Sequence, residues 1–376
     1  GGLVAGVFFV LPAFFVLLGL SWLYAVHGTV PWIAAIFYGL RAGVIAIVAA
    51  AVIRIGARAF KHHVMIVIAA AAFVALFVFG VPFPLIVIGA GVLGLLGSRL
   101  WPAALARGAA PRMTMPAEHQ RQSVIGDEAP SPEHARPTAR GALRVLAACL
   151  AAWWGPLAAV IAWRGTGDVL AQQAIFFSKA AMVTFGGAYA VLAYIAQAAV
   201  QHYGWVTTLD MLAGLGLAES TPGPLILVTE FVGFLGAFRH PGGLDPVVAG
   251  TLGAAVTVWA TFAPSFLWIF LGAPFIERLR GNTSLTGALS AITAAVVGVI
   301  LNLAVWFSFH TLFGAVVEIP SRWTTITLPV LATVDWSAVL IAAIAFAGMW
   351  RLNWGIIPIV IGSAIAGWVV RALPIP

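Results

Sequence analysis

Five ionisable side chains stand inside strongly apolar stretches of this chain: Arg41, Lys179, Asp210, Glu219 and Glu230. A charge in such a stretch is costly to bury, which makes each a functional candidate by default. The densest neighbourhood runs from Phe176 to Phe238. It holds Phe176-Phe177-Ser178-Lys179, then Thr184-Phe185-Gly186-Gly187-Ala188-Tyr189, then Glu219-Ser220-Thr221-Pro222-Gly223-Pro224. A Gly-Gly pair weakens a helix by about 1 kcal/mol per glycine relative to alanine, so Gly186-Gly187 reads as a break or as a close helix crossing. Proline removes a backbone donor, whereas Ser or Thr followed by Pro suits a helix start. Thr221-Pro222-Gly223-Pro224 therefore predicts one helix ending near Ala218 and another beginning at Pro222. An extramembrane turn between two short helices is the other reading.

Interrupted helices at membrane depth leave backbone N–H groups and positive dipole ends free, and these attract anions. Lys179 precedes the glycine pair by two turns and adds positive charge near it. Glu219 stands beside the predicted helix start, where an ionised carboxylate would repel an anion and a protonated one would not. Glu219 and Asp210 are accordingly the proton-coupling candidates. Arg41 is a candidate charge partner for the anion, with a structural ion pair across helices as the alternative.

The elements that must position these residues are membrane helices. The chain is 62% hydrophobic and 8% charged over 376 residues, with mean hydropathy +1.04. Soluble domains carry about 25% charged residues, and a water-facing surface is not affordable here. Apolar runs repeatedly reach the ~20 residues that cross a bilayer, without the ten-residue alternation of a barrel. The fold class expected is all-α: a polytopic transmembrane bundle in the cell (inner) membrane. The formal net charge of +7 reflects basic loops between spans and does not indicate nucleic-acid binding. The single cysteine, Cys149, lies in an apolar run and excludes an intramolecular disulfide.

Residues 98–142 break the apolar pattern with prolines, acidic residues and arginines from Arg99 to Arg140. They read as a solvated, cytoplasmic linker between an N-terminal membrane half (1–97) and a C-terminal half (143–376) that holds the motifs. Val64–Phe79 and Pro82–Gly97 read as a hairpin, and Val169–Val200 as one apolar segment. Setting Pro12 against Pro264 aligns Phe14 with Phe266, Ala42 with Ala294 and Val44 with Val296. Basic residues fall at opposite ends of the aligned helices, Arg54–Lys61 in one half and Arg278 and Arg280 in the other. Two related halves, one inverted relative to the other, would place them so.

Catalytic motifs are missing. The sequence has no H-E-x-x-H, no Walker A loop, no G-x-S-x-G and no dinucleotide fingerprint. No metal, cofactor or catalytic residue is expected. Transport would be secondary unless another subunit supplies energy.

The run from Phe176-Phe177-Ser178-Lys179 to Gly187, with Gly204-Trp205, Asp210 and Gly214 to Ile226, resembles the chromate transporter family. Pro274-Phe275-Ile276-Glu277-Arg278-Leu279-Arg280 resembles that family's later basic loop, and Gly1 to Ala42 the end of its N-terminal domain. Ala218-Glu219-Ser220-Thr221-Pro222-Gly223-Pro224 carries the resemblance most specifically. It implies export of chromate with resistance, with sulfate as the related oxyanion. The implied substrate-binding set is Lys179, Thr184, Phe185, Gly186, Gly187, Tyr189, Ser220, Thr221, Pro222, Gly223, Pro224 and Arg41. The partners implied are the anion and the lipid bilayer, leaving room for a homodimer. Two-domain members carry both motifs in each half. Here the first copies would lie roughly 75 residues before Gly1, the size of a half-repeat, so the chain is expected to lack the start of its N-terminal domain. Sulfate uptake or exchange, and a membrane-embedded enzyme, are the competing readings.

Overall fold

The computed structural model describes residues 2–100, 138–184, 187–272, 282–320 and 325–372. Phe185, Gly186, the basic loop Pro274–Arg280 and most of the linker lie outside the described residues, as does the side chain of Arg99.

The first half comprises α1 (Gly2–His27), α2 (Pro31–Ala59), α3 (His63–Phe77) and α4 (Phe83–Leu100). After the linker come α5 (Ala139–Arg164), α6 (Val169–Met182), α7 (Ala188–Gln197), α8 (Thr208–Ser220) and α9 (Val228–Arg239). The chain continues with α10 (Pro246–Gly272), α11 (Thr283–Leu312), α12 (Trp336–Arg351) and α13 (Ile356–Ala372). Among the described residues, five helices are long and apolar enough to cross a membrane: α1, α2, α5, α10 and α11. Phe8, Phe9, Phe15 and Trp163 lie exposed on their outer faces, as a lipid-facing surface requires. The protein is a multi-pass, all-α membrane protein. One small departure is an antiparallel hairpin, Val316–Pro320 with Thr325–Pro329, whose β-branched residues suit a strand.

Local signals set the helix ends. Thr138 accepts from the Gly141 amide and starts α5 inside the segment assigned to the linker, while α4 runs on to Leu100 at its other edge. Asp168 caps α6, and Arg164 grips that carboxylate and the Gly242 carbonyl (both through Nη2, at 2.8 and 2.7 Å), tying the α9–α10 turn to the α5–α6 turn.

The sequence repeat has a three-dimensional counterpart. Pairing Pro12 with Pro264 also pairs Pro31 with Thr283, the first residues of α2 and α11. Ala42, Val44, Ala294 and Val296 are all fully buried. Ala42 packs on Ala338 and Ile341 of α12, and Ala294 on Met65 of α3. On its other side α2 meets α13, where a Cβ on Gly39 would lie 2.7 Å from Gly367 Cα. At the aligned place α11 meets α4, where a Cβ on Gly94 would lie 2.8 Å from Ala291 Cβ. Each long central helix thus packs against the terminal hairpin of the opposite half. Small residues at these crossings let the backbones touch, the main source of helix association where lipid is as apolar as the side chains.

Direction follows from the same pairs. Met65 meets Ala294, and Ala69 lies against Gly298, so α3 runs parallel to α11.

Candidate functional site

Both interruptions read from the sequence are present, the first at the expected Gly187 and the second displaced from its expected position. Val169–Val200 is not one continuous segment, because α6 stops at Met182 and α7 starts only at Ala188. Gly187 sits at φ +109°, a backbone conformation that side chains with a Cβ rarely adopt. It precedes α7 without a side-chain cap, and its carbonyl accepts from the Ala190 amide at 3.2 Å. The Thr184 hydroxyl donates to the Ala180 carbonyl at 2.7 Å and closes the end of α6. Lys179 is exposed in the last turn of α6, where the helix dipole favours a cation.

At the second interruption, α8 continues through Ser220, beyond the expected end at Ala218. The Ser220 and Thr221 hydroxyls both donate to the Leu217 carbonyl, at 2.8 and 2.7 Å. Those hydrogens are engaged within the helix end. The chain then stays non-helical through Pro222, Gly223 and Pro224 and resumes as a 3-10 turn, Leu225–Leu227, ahead of α9. The next helix therefore starts later than Pro222, because two prolines in three residues withhold the amides that would close an earlier turn. Gly223 packs against Ala13 of α1 so closely that no side chain fits between them.

The two interruptions lie side by side. The Tyr189 hydroxyl, in the first turn of α7, donates to Glu219 Oε1 in the last turn of α8. Helix α7 also packs on the 3-10 turn that follows Pro224. Glu219 does not stand alone: Arg54 of α2 lies within electrostatic range of both Glu219 and Tyr189. Sequence reasoning used Arg54 only as a marker of a basic loop. Its place beside Glu219 depends on how α2 crosses the bundle, and no local signal reports that.

Arg41 and Asp210 belong to a different cluster. Asp210 sits nine residues before Glu219 on α8, about 13 Å along the helix axis. Its carboxylate completes a capping box with Thr207 and accepts two bonds from Arg239, at 2.7 and 3.2 Å. Tyr24 of α1 donates to Asp210 at 2.7 Å, and Arg41 donates to the Tyr24 hydroxyl at 3.2 Å. This network joins α1, α2, α8 and α9 and engages both Asp210 oxygens. The structure thus gives Asp210 the setting of a cap and a tie, and joins Arg41 to it through the Tyr24 hydroxyl. Tyr24 and Arg239 were not anticipated.

The sequence profile described as "Chromate transporter" matches residues 1–95 and 171–368. The chain is 28% identical over 375 residues to a chromate transport protein of Pseudomonas aeruginosa, covering 98% of this chain and 75% of that protein. It is 26% identical to a chromate transport protein of Cupriavidus metallidurans, covering 85% of this chain and 67% of the relative. It is also 26% identical to a probable chromate transport protein of Synechococcus elongatus, covering 81% of this chain and 65% of the relative. The chain therefore spans about two thirds to three quarters of the length of these relatives. No solved structure matches it.

Proposed function

Because the chain belongs to the chromate transporter family, we propose that it carries chromate across the membrane as a secondary transporter. The direction proposed is export, which would confer resistance. The observation that carries this reading is the junction of two broken helices, joined by Tyr189 and Glu219 inside the matched region. A tetrahedral dianion needs concentrated positive potential and hydrogen-bond donors in a low-dielectric setting. The first turn of α7, which has no side-chain cap, would supply backbone donors, and Arg54 and Lys179 would supply charge. Gly187, Pro222, Gly223 and Pro224 would shape the backbone there, with Thr184, Ser220 and Thr221 as hydroxyls that could turn toward an anion. Phe185 and Gly186 complete the proposed motif.

Glu219 opposes anion entry while ionised, and Tyr189 and Arg54 offset part of its charge. Protonation of Glu219 would remove the remaining repulsion. The linker, residues 98–142, is proposed to lie on the cytoplasmic side between the two membrane halves.

Chromate uptake into everted membrane vesicles, together with growth under chromate, tests the reading. Wild-type vesicles should accumulate chromate, and Lys179→Ala should reduce that uptake. Failure of the wild-type chain to move chromate would overturn the proposal. Sulfate competing fully, with chromate a poor substrate, would assign the same site to sulfate exchange.

A further inference from the structure

A third carboxylate, used by neither cluster, is the most deeply buried in the described structure. Glu230 has no exposed surface, and neither of its oxygens has a hydrogen-bond partner among the described residues. It stands in the first turn of α9. The stripe containing Gly233 and Ala237 continues back to Glu230 at helical spacing. That stripe faces α10: a Cβ on Gly233 would meet Thr257, and one on Gly253 would lie 2.6 Å from Ala237 Cβ. Because α9 and α10 run antiparallel, with Gly233 opposite Thr257 and Ala237 opposite Gly253, Glu230 lies at the level of Ala260, one helical turn from Thr257.

Two more unpartnered acceptors occupy the same seam. Thr257 Oγ1 and Gln173 Oε1 are buried without hydrogen-bond partners among the described residues. Gln173, on α6, is anchored by its amide nitrogen to the Gly233 carbonyl at 3.0 Å, and both residues are fully buried. Nonpolar packing accounts for none of these three side chains. An apolar seam would hold Leu, Val and Ala, and leaving several polar atoms unsatisfied along about two turns of one seam is costly.

We propose that Glu230 is a proton-binding site in the seam between α9 and α10, with Thr257 Oγ1, one turn away along α10, as the unpartnered oxygen its proton would turn toward. The proton comes from water and returns to it, converting carboxylate to carboxylic acid and back. Among the described residues, no opposite charge is paired with Glu230. Helix α10 has no ionisable side chain, and α6 contributes only Lys179, which is exposed. The Tyr24 hydroxyl of α1 and the Arg239 guanidinium at the far end of α9 are both engaged by Asp210 of α8, while Glu219 of α8 is held by Tyr189. The closed seam accommodates the neutral acid. The ionised form favours a seam opened to water or to a counter-ion, because an unpaired buried charge outweighs the packing it disturbs. Since α9 follows directly from the Pro222–Pro224 interruption, opening the seam would shift the proposed anion site. In that respect the inference rests on the transport reading, and protonation of Glu230 becomes the coupling step.

Infrared difference spectroscopy on the purified full chain in lipid, stepping from acidic to alkaline pH, tests proton binding without requiring transport. A protonated-carboxyl band should disappear on alkalinisation, be absent in Glu230→Gln and shift in frequency in Thr257→Val. Should Glu230→Gln not fold, Glu230→Asp should instead move the band and its titration. A band that persists throughout the pH range in which the protein stays folded, or that Glu230→Gln leaves untouched, overturns the proposal.

Chromate flux into proteoliposomes under an imposed pH gradient tests the coupling. The gradient should accelerate wild-type flux, and this stimulation should be lost in Glu230→Gln. Wild-type flux indifferent to the gradient would overturn the coupling while leaving the oxyanion reading intact. A titrating band in a chain that moves no chromate would do the reverse.

Discussion

Arg239, in the last turn of α9, holds the carboxylate of Asp210, in the first turn of α8, through two bonds of 2.7 and 3.2 Å. The pair closes the α8–α9 hairpin at the end opposite the Pro222–Pro224 interruption. It fixes where two half-length helices stand when neither is long enough to span a bilayer, 13 and 12 residues against the ~20 required.

Removing the acidic partner should therefore destabilise more than the loss of a surface ion pair. Asp210→Ala loses the capping box and leaves the Tyr24 hydroxyl and Arg239 unpaired, at a cost of about 2–4 kcal/mol. Asp210→Asn keeps the cap and should cost less. Thermal unfolding of both variants in detergent checks the order, and equal stability of the two would contradict it.

The glycine crossings make a paired prediction. Gly39→Val and Gly94→Val each force apart a helix contact between the halves, and the two occupy related places. Each should destabilise by about 1–3 kcal/mol or more, because backbone rather than flexible side chain blocks the added atoms. Gly89→Val on α4, where a Cβ would meet nothing within 4 Å, should be close to neutral. Melting temperatures of the three variants decide the matter.

Gly187→Ala places a Cβ at φ +109°, which costs about 1–3 kcal/mol unless the backbone rearranges. A rearrangement would re-aim the first-turn amides of α7. Chromate uptake should consequently fall further than the amount of folded protein does, and uptake that tracks folded protein alone would separate Gly187 from the anion site.

Tyr189→Phe removes the hydroxyl that donates to Glu219 while retaining the ring. An ionised Glu219 would then repel an incoming oxyanion more strongly, so chromate uptake should fall most at the alkaline end of its pH profile. Glu219→Gln should flatten that profile. An unchanged profile in Glu219→Gln would dismiss the role proposed for this carboxylate.

Much of the fold was legible in the sequence because lipid imposes so few solutions. Long apolar runs must be helices, and Pro222 and Pro224 must interrupt them, whereas the glycine pair left a break and a close crossing both open. The repeat was visible at Pro12 and Pro264 and in the aligned pair Ala42 and Ala294, since both prolines lie within helices and both alanines are buried. Helix ends were less legible: α8 runs two residues past Ala218, held by hydroxyl bonds to Leu217. The candidate site was legible as a list of residues but not as an arrangement. Arg41, Asp210 and Glu219 looked alike as charges in apolar runs, yet Asp210 has a bidentate arginine, Glu219 a tyrosine and Glu230 no partner among the described residues.

The sequence by itself determined that this is an all-α, multi-pass membrane protein, and it marked Gly186-Gly187 and Pro222-Gly223-Pro224 as candidate interruptions. Those features depend on local backbone chemistry and on apolar length, both of which are written residue by residue. Only the tertiary structure decided which charge meets which partner, and that Arg54 comes within electrostatic range of Tyr189 and Glu219. Each of these depends on contacts between residues far apart in the chain, set by how small residues such as Gly39, Gly94 and Gly367 let the helices cross.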